Sequence, residues 1–226
     1  MISHEKKFVF VHIPKTGGMA LSKILKPYCD EESLQQYSPF REEGKFHARL
    51  DEYIITYGWE RIKEYTFFTI VRNPWERLLS HAFHHYKQEY GHEGFNRGHF
   101  RTLIFFPESI GLWPNSHFHF LQKGRFHHPN DESLEVFPPL YTLQYLPYIF
   151  RPLRYINFHD YTRQVGRILD SLNIEYKPED LEKKVNTTTH KHYSHYYSQE
   201  EMMHVTRTCE LDLRAFSYTF EDRKNT

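Results

Sequence analysis

The stretch FVFVHIPKTGGMALSKIL, residues 8–25, constrains the fold more than any other part of this sequence. The continuous β-branched and aromatic run KFVFVHI, residues 7–13, suits a strand in a parallel sheet covered on both faces, where neither face calls for polar residues. Leu21, Ile24, Leu25 and Tyr28 then recur at helical spacing, with Pro27 near the end. In a strand–loop–helix unit the loop N–H groups and the helix N-terminus point at one spot, and that spot favours an anion. Gly17 and Gly18 let the backbone turn tightly and approach closely, while Lys15 adds a charge and Thr16 a hydroxyl. The loop therefore suits a phosphate or sulfate group, against the plainer alternative of a glycine turn with a surface lysine. It is not the triphosphate pattern G-x-x-x-x-G-K-[ST], because the lysine precedes the glycine pair and the first glycine is missing. No acidic residue at a strand end is committed to Mg²⁺, which argues against a kinase or ATPase.

Strand and helix patterns alternate along the rest of the chain. YTFFTIV (65–71) and RYINF (154–158) read as further strands, and residues 46–48 as a short one before helical material from about 51 to 64. Asn73, Pro74 and Glu76 open the clearest helix, with Glu76 closing a capping-box-like pair. Its apolar stripe is Trp75, Leu78, Leu79, Ala82, Phe83 and Tyr86. Residues 91–150 are aromatic, His- and Pro-rich, and predict short helices and loops forming a substrate-side wall. Asp160 is placed to cap a helix carrying Val165, Ile168, Leu169 and Leu172. Ser198 with Glu201 caps a last helix whose inner face holds Met202, Val205, Cys209, Leu213 and Phe216. This alternation predicts an α/β three-layer sandwich around a mostly parallel central sheet. The 226 residues fit one domain, 1–226, with the irregular insertion at about 91–150. Aromatics reach 17% while apolar residues total only 39%, so Tyr and Phe must supply much of the core.

Composition excludes several partners. Lys+Arg and Asp+Glu balance at 29 each, so no bulk field draws the chain to nucleic acid or to an anionic membrane. Cys29 and Cys209 are too few for a disulfide framework or a Cys-based zinc site. No signal peptide and no membrane-length apolar segment is present, so the sequence reads as soluble or cytoplasmic. An anchor outside these residues would leave no trace in them. His190, His192 and His195 have a spacing that could hold a metal, but no carboxylate or Cys completes a site, and packing histidines are the better reading.

A second anion site is suggested by IVRNPWERLLS, where Arg72 ends a strand beside a helix N-terminus. Ser80 lies eight residues on, about 12 Å along a helix axis, so one ligand must bridge the gap. HIPKTGG and VRNPWERLLS together resemble the carbohydrate sulfotransferases that use 3′-phosphoadenosine-5′-phosphosulfate (PAPS), a group containing Golgi-type heparan and chondroitin enzymes and bacterial relatives. The ending VNTTTHKHYSHYYSQEEM…LDLRAFSYTF is similar to that family's as well.

The resemblance implies a nucleotide-kinase-like phosphate-loop topology and no required metal. It implies that Lys15, Thr16, Gly17 and Gly18, with the backbone of Met19 and Ala20, hold the 5′-phosphosulfate end. Arg72 and Ser80 would hold the 3′-phosphate, and the segment Thr188 to Lys191 would close over the nucleotide. Two departures stand out: Met19 and Ala20 replace the family's usual Thr or Ser after the glycines, and His159 stands where an acidic residue is common.

Sulfuryl transfer needs in-line geometry and charge stabilisation more than covalent chemistry. Lys15 would stabilise charge on the bridging oxygen. His47, in KFHARL, is the expected general base, since histidine offers a neutral base near neutral pH and some relatives carry a catalytic histidine at a matching place. His12 reads better as a buried histidine, and Glu42, Glu43 and Asp51 as solvated charges. The expected acceptor is a carbohydrate or other hydroxyl-bearing molecule. Trp113, Phe118, Phe120 and Phe126 could stack on sugar rings, and Arg97, Arg101, Lys123 and Arg125 could meet an acidic sugar; core and surface roles are the better reading for most. The alternatives are a nucleotide-dependent kinase of related fold and a non-catalytic PAPS- or anion-binding module.

Overall fold

The computed structural model describes residues 1–30, 47–107, 116–117, 153–182 and 190–223. In chain order its elements are β1 (Ile2–Ser3), β2 (Phe8–Val11), α1 (Gly18–Leu25), α2 (Leu50–Tyr57), α3 (Trp59–Ile62), β3 (Thr66–Val71), α4 (Pro74–Tyr90), α5 (Arg97–Phe105), β4 (Leu153–Asn157), α6 (Tyr161–Ser171), α7 (Pro178–Glu182), α8 (Gln199–Thr208) and α9 (Glu210–Phe216).

The strands form one sheet in the order β1-β2-β3-β4. β2, β3 and β4 run parallel, and β1 lies antiparallel to β2. Register sets Phe10 beside Phe68 and Ile70 beside Ile156. Alternate strand residues serve opposite faces. Phe8, Phe10, Phe68, Ile70 and Ile156 pack with Leu21 and Leu25 of α1 and with Val165, Ile168 and Leu169 of α6. Val9, Val11 and Phe67 pack on the other face with Ala48, Leu50, Tyr53 and Ile62. Helices thus cover both faces of β2 and β3, which is why those strands are mostly apolar. Full burial of a Phe contributes about 2–3 kcal/mol, so the buried rings of Phe8, Phe10, Phe67 and Phe68 carry a large share of the core.

Asn73 caps α4 by accepting the Trp75 N–H at 3.1 Å. Trp75, Leu78, Leu79, Ala82 and Phe83 then pack with Phe100, Leu103 and Ile104 of α5 and with Val205 and Cys209. Residues 97–105, within the stretch expected to hold short helices and loops, form a nine-residue helix capped by Asn96 and packed into a helical core. Trp113, Phe118, Phe120, Lys123, Arg125 and Phe126 lie outside the described residues, as do Glu42 and Glu43.

Several local expectations are corrected. His47 and Ala48 form no strand. β2 is flanked by β1 and β3, so no edge of it is open to a further strand. The helical material after residue 50 is two helices, broken at Gly58, whose φ is 76°. Glu76 closes no box; its carboxylate meets Arg72 and His159. Asp160 occupies the N-cap position of α6 without a capping bond, because its carboxylate takes Arg163 and Gln164 instead. Ser198 and Glu201 do form the reciprocal capping box of α8. The last helix is divided at Cys209 into α8 and α9. Among the described residues no helix is long and apolar enough to cross a membrane.

Candidate active site

The parallel strands end at one edge of the sheet, the edge where α/β folds commonly place ligands. Beyond β2, Lys15 adopts φ 65° and Gly17 φ 88°. The left-handed conformation costs a side-chain-bearing residue about 1–2 kcal/mol, so the turn must be held by its surroundings. Two arginines hold it. Arg77 Nη1 donates to Pro14 O at 3.4 Å, and Arg72 Nη1 donates to Lys15 O at 3.3 Å. The glycines are required by close approach as well: a Cβ on Gly17 would sit 2.8 Å from the Phe158 ring, and one on Gly18 would sit 2.4 Å from the His12 ring.

Gly17 is the N-cap of α1, and no side chain caps that end. The first-turn N–H groups, on Gly18, Met19 and Ala20, have no intrahelical acceptor and carry the positive end of the helix dipole. Thr16 is fully buried, and its hydroxyl donates to Ile13 O at 2.8 Å. Met19 is exposed and Ala20 buried. The Lys15 ammonium has no carboxylate partner among the described residues. Burial, and then the Arg72 charge beside it, lower its pKa from 10.5 to about 8. Two cations share this corner, which disfavours either one alone and favours both around an anion.

Arg72 joins all three parallel strands. It ends β3, reaches the loop after β2, and lies over the Phe158 ring beyond β4 at 4.2 Å. Its Nε donates to Glu76 Oε2 at 3.4 Å, and the same oxygen lies 3.3 Å from His159 Nε2. Arg77, Ser80, His81 and His84 share one face of α4 by their spacing. The Lys15 charge is among the causes lowering the pKa of His81 and of His84, after burial in both cases, and His84 falls to about 4. Half-buried Ser80 lies on the same face of α4 from which Arg77 reaches Pro14 O.

His47 stands just before α2, with Nδ1 3.0 Å from His12 O. A carbonyl only accepts, so the proton is on Nδ1 and the ring lone pair on Nε2. Burial lowers the pKa of His47, the hydrogen bond to His12 opposes this, and the Lys15 charge lowers it further. The His47 and His12 rings lie 4.7 Å apart. His12 itself is buried, stacked on Phe10 and 3.4 Å from the Ser22 hydroxyl, and packs against Gly18.

The structure thus brings Lys15, the glycine pair, His47 and Arg72 to one corner, and Ser80 lies on the face of α4 that Arg77 anchors to Pro14 O. Lys191 is exposed, with its N–H donating to the Tyr196 hydroxyl at 3.3 Å, and Thr188 lies outside the described residues. His190 stacks on Phe83 at 4.9 Å and His192 lies 3.0 Å from the Ser194 hydroxyl, both packing roles. Among the described residues no group of His, Cys, Asp or Glu could hold a metal ion. Sequence reasoning missed Arg77 and Phe158. Arg77 had a signal: a cation one turn inside a helix N-terminus opposes the dipole, so it needs a specific acceptor. Phe158 had none.

No curated protein and no solved structure matches this sequence. The sequence model of one family does match, over residues 1–219, and so takes in both the glycine loop and the strand end that bears Arg72. On that match, which spans nearly the whole length, the chain belongs to the sulfotransferase family.

Proposed function

We propose that this chain moves a sulfuryl group from PAPS to a hydroxyl of a carbohydrate acceptor. The observation that carries the reading is the 3.3 Å bond from Arg72 to Lys15 O, which ties the two anion-suited segments into one corner. The residues there fit a doubly anionic donor: an uncapped helix start, a cation without a carboxylate partner among the described residues, and an arginine fork. On this reading the fold is a three-layer sandwich with a phosphate-loop topology like that of nucleotide kinases, working without a metal.

Bound there, the donor supplies the sulfuryl group, which passes to the attacking hydroxyl as adenosine 3′,5′-bisphosphate leaves. The N–H groups of Gly17, Gly18, Met19 and Ala20, with Thr16 behind them, hold the 5′ end. Lys15 neutralises charge at the bridging oxygen, a role worth a few kcal/mol, on the order of 3. Arg72 and Ser80 hold the 3′-phosphate, and the Thr188–Lys191 segment closes over the nucleotide. His47 takes the acceptor proton on Nε2, held in the required tautomer by the His12 carbonyl.

A thermal-shift series with adenosine 3′,5′-bisphosphate, ATP and sulfate, followed by transfer of labelled sulfate from PAPS to a glycan pool, tests the reading. Stabilisation by the bisphosphate with label transfer supports it. Turnover of ATP with a strict Mg²⁺ requirement would replace it with a kinase, and bisphosphate binding without transfer to any glycan would replace it with a binding module.

A further inference from the structure

Behind Arg72 sits a buried polar group to which the reading above assigns no role. The main-chain N–H of Arg72 donates to His117 Nε2 at 3.2 Å. His117 Nδ1 lies 3.3 Å from Asp212 Oδ2, and the His117 main-chain N–H donates to that same oxygen at 2.9 Å. The Ser116 hydroxyl donates to Asp212 Oδ1 at 3.2 Å. His117 and Asp212 are both fully buried, and the Phe216 ring stands edge-on to the imidazole at 6.0 Å. Asp212 comes from α9, 95 residues from His117 in sequence.

Resting on the proposed function, we infer that His117 and Asp212 are positioning residues for Arg72, fixing the main chain from which its guanidinium reaches the donor's 3′-phosphate.

Arg72 N–H is a donor, so Nε2 must present its lone pair, and the ring proton must sit on Nδ1. The Asp212 carboxylate, whose Oδ2 lies 3.3 Å from Nδ1, favours it there by its charge. This is the arrangement by which a carboxylate behind a histidine fixes which nitrogen faces forward. A buried carboxylate is costly to keep unless bonded, and here Asp212 receives a hydroxyl and a main-chain N–H besides facing the ring. Loss of the acceptor leaves the part-buried Arg72 N–H without this partner, and the strand end moves to find another. Arg72 has little freedom to absorb that movement, because its side chain is already held by Lys15 O, Glu76 and the Phe158 ring.

Three variants separate the possibilities. His117→Gln keeps an acceptor near the Nε2 position. His117→Phe keeps volume and ring but offers none. Asp212→Leu keeps much of the volume but removes both carboxylate oxygens, so nothing at that place favours the ring proton on Nδ1. The readout is the ratio of affinities for adenosine 3′,5′-bisphosphate and adenosine 5′-monophosphate, measured by calorimetry on folded protein, since only the first carries the 3′-phosphate. We expect His117→Phe and Asp212→Leu to lower that ratio roughly tenfold, and His117→Gln to restore most of it. A merely structural pair would lower the melting temperature and leave the ratio alone.

Should His117→Phe or Asp212→Leu fail to fold, ¹⁵N-histidine spectra of the wild-type chain decide the matter, with His117 assigned by its absence in His117→Gln. A proton on Nδ1 supports the inference, and a proton on Nε2 overturns it. A wild-type chain indifferent to the 3′-phosphate overturns the proposed function and this inference with it. A wild-type preference that survives unchanged in His117→Phe overturns this inference alone.

Discussion

Lys15 is a cation held where the fold opposes one, and replacing it with methionine isolates that opposition. Methionine keeps an unbranched stem and the left-handed φ of 65°, so the charge is what changes. Burial and the Arg72 charge lower the Lys15 pKa from 10.5 to about 8. At about 1.4 kcal/mol for each tenfold change in proton affinity, that is roughly 3 kcal/mol of unfavourable charging. Solvent reaches part of the side chain, so about 2 kcal/mol is the fair expectation. The sign follows from linkage. A lysine depressed in the fold costs stability fully below about pH 8 and is relieved as pH rises from there to 10.5, because the unfolded chain then holds more protons. Lys15→Met should therefore raise the ligand-free melting temperature near neutral pH by about 4–8 °C. That advantage should shrink toward pH 10. Saturating adenosine 3′,5′-bisphosphate should reverse the order, since a charge-assisted contact of about 1.5–3 kcal/mol is gone. Differential scanning calorimetry with and without the bisphosphate measures all of this. A variant less stable than wild type without ligand, or a pH dependence identical in the two, refutes the reasoning.

Other outcomes follow from the same geometry. His47→Gln should lower kcat for sulfate transfer by about 10²–10⁴-fold with little change in donor KM, and the wild-type rate should fall as pH drops through a pKa below 6.5; a flat acidic limb removes His47 as base. Gly18→Ala drives a Cβ to 2.4 Å from the buried His12 ring and should destabilise by about 1–3 kcal/mol in urea melts; no loss would mean that the ring moves freely. Arg72→Lys keeps the charge but loses the fork, so bisphosphate affinity should fall by about 1.5–3 kcal/mol in calorimetry. Ser198→Ala removes one half of the α8 capping box and should cost about 1 kcal/mol of stability without altering donor binding.

The parts of the fold legible from sequence were those encoded locally. Buried strands need apolar runs, so β2 and β3 announce themselves, and Asn73-Pro74 marks the start of α4 through cap and fixed φ. β1 is two residues long and too short to show a period, yet it occupies the edge of β2 and so prevents the strand expected at 46–48. Asp160 and Glu76 were misassigned for one reason: a carboxylate near a helix start has both capping and ion-pairing options, and arginines decided each case. In the candidate site, the residues that would meet the donor could be picked out by type and spacing. Their supports could not. The His12 carbonyl behind His47, Arg77 on Pro14 O and Asp212 behind His117 are joined only by the folded chain, across 35, 63 and 95 residues.

The most direct test is a crystal structure with adenosine 3′,5′-bisphosphate bound. One molecule should span the corner, its 5′-phosphate on the N–H groups opening α1 and beside Lys15, its 3′-phosphate between Arg72 and Ser80. A bisphosphate that lies elsewhere, or that touches the glycine loop while its 3′-phosphate faces solvent away from α4, contradicts the account.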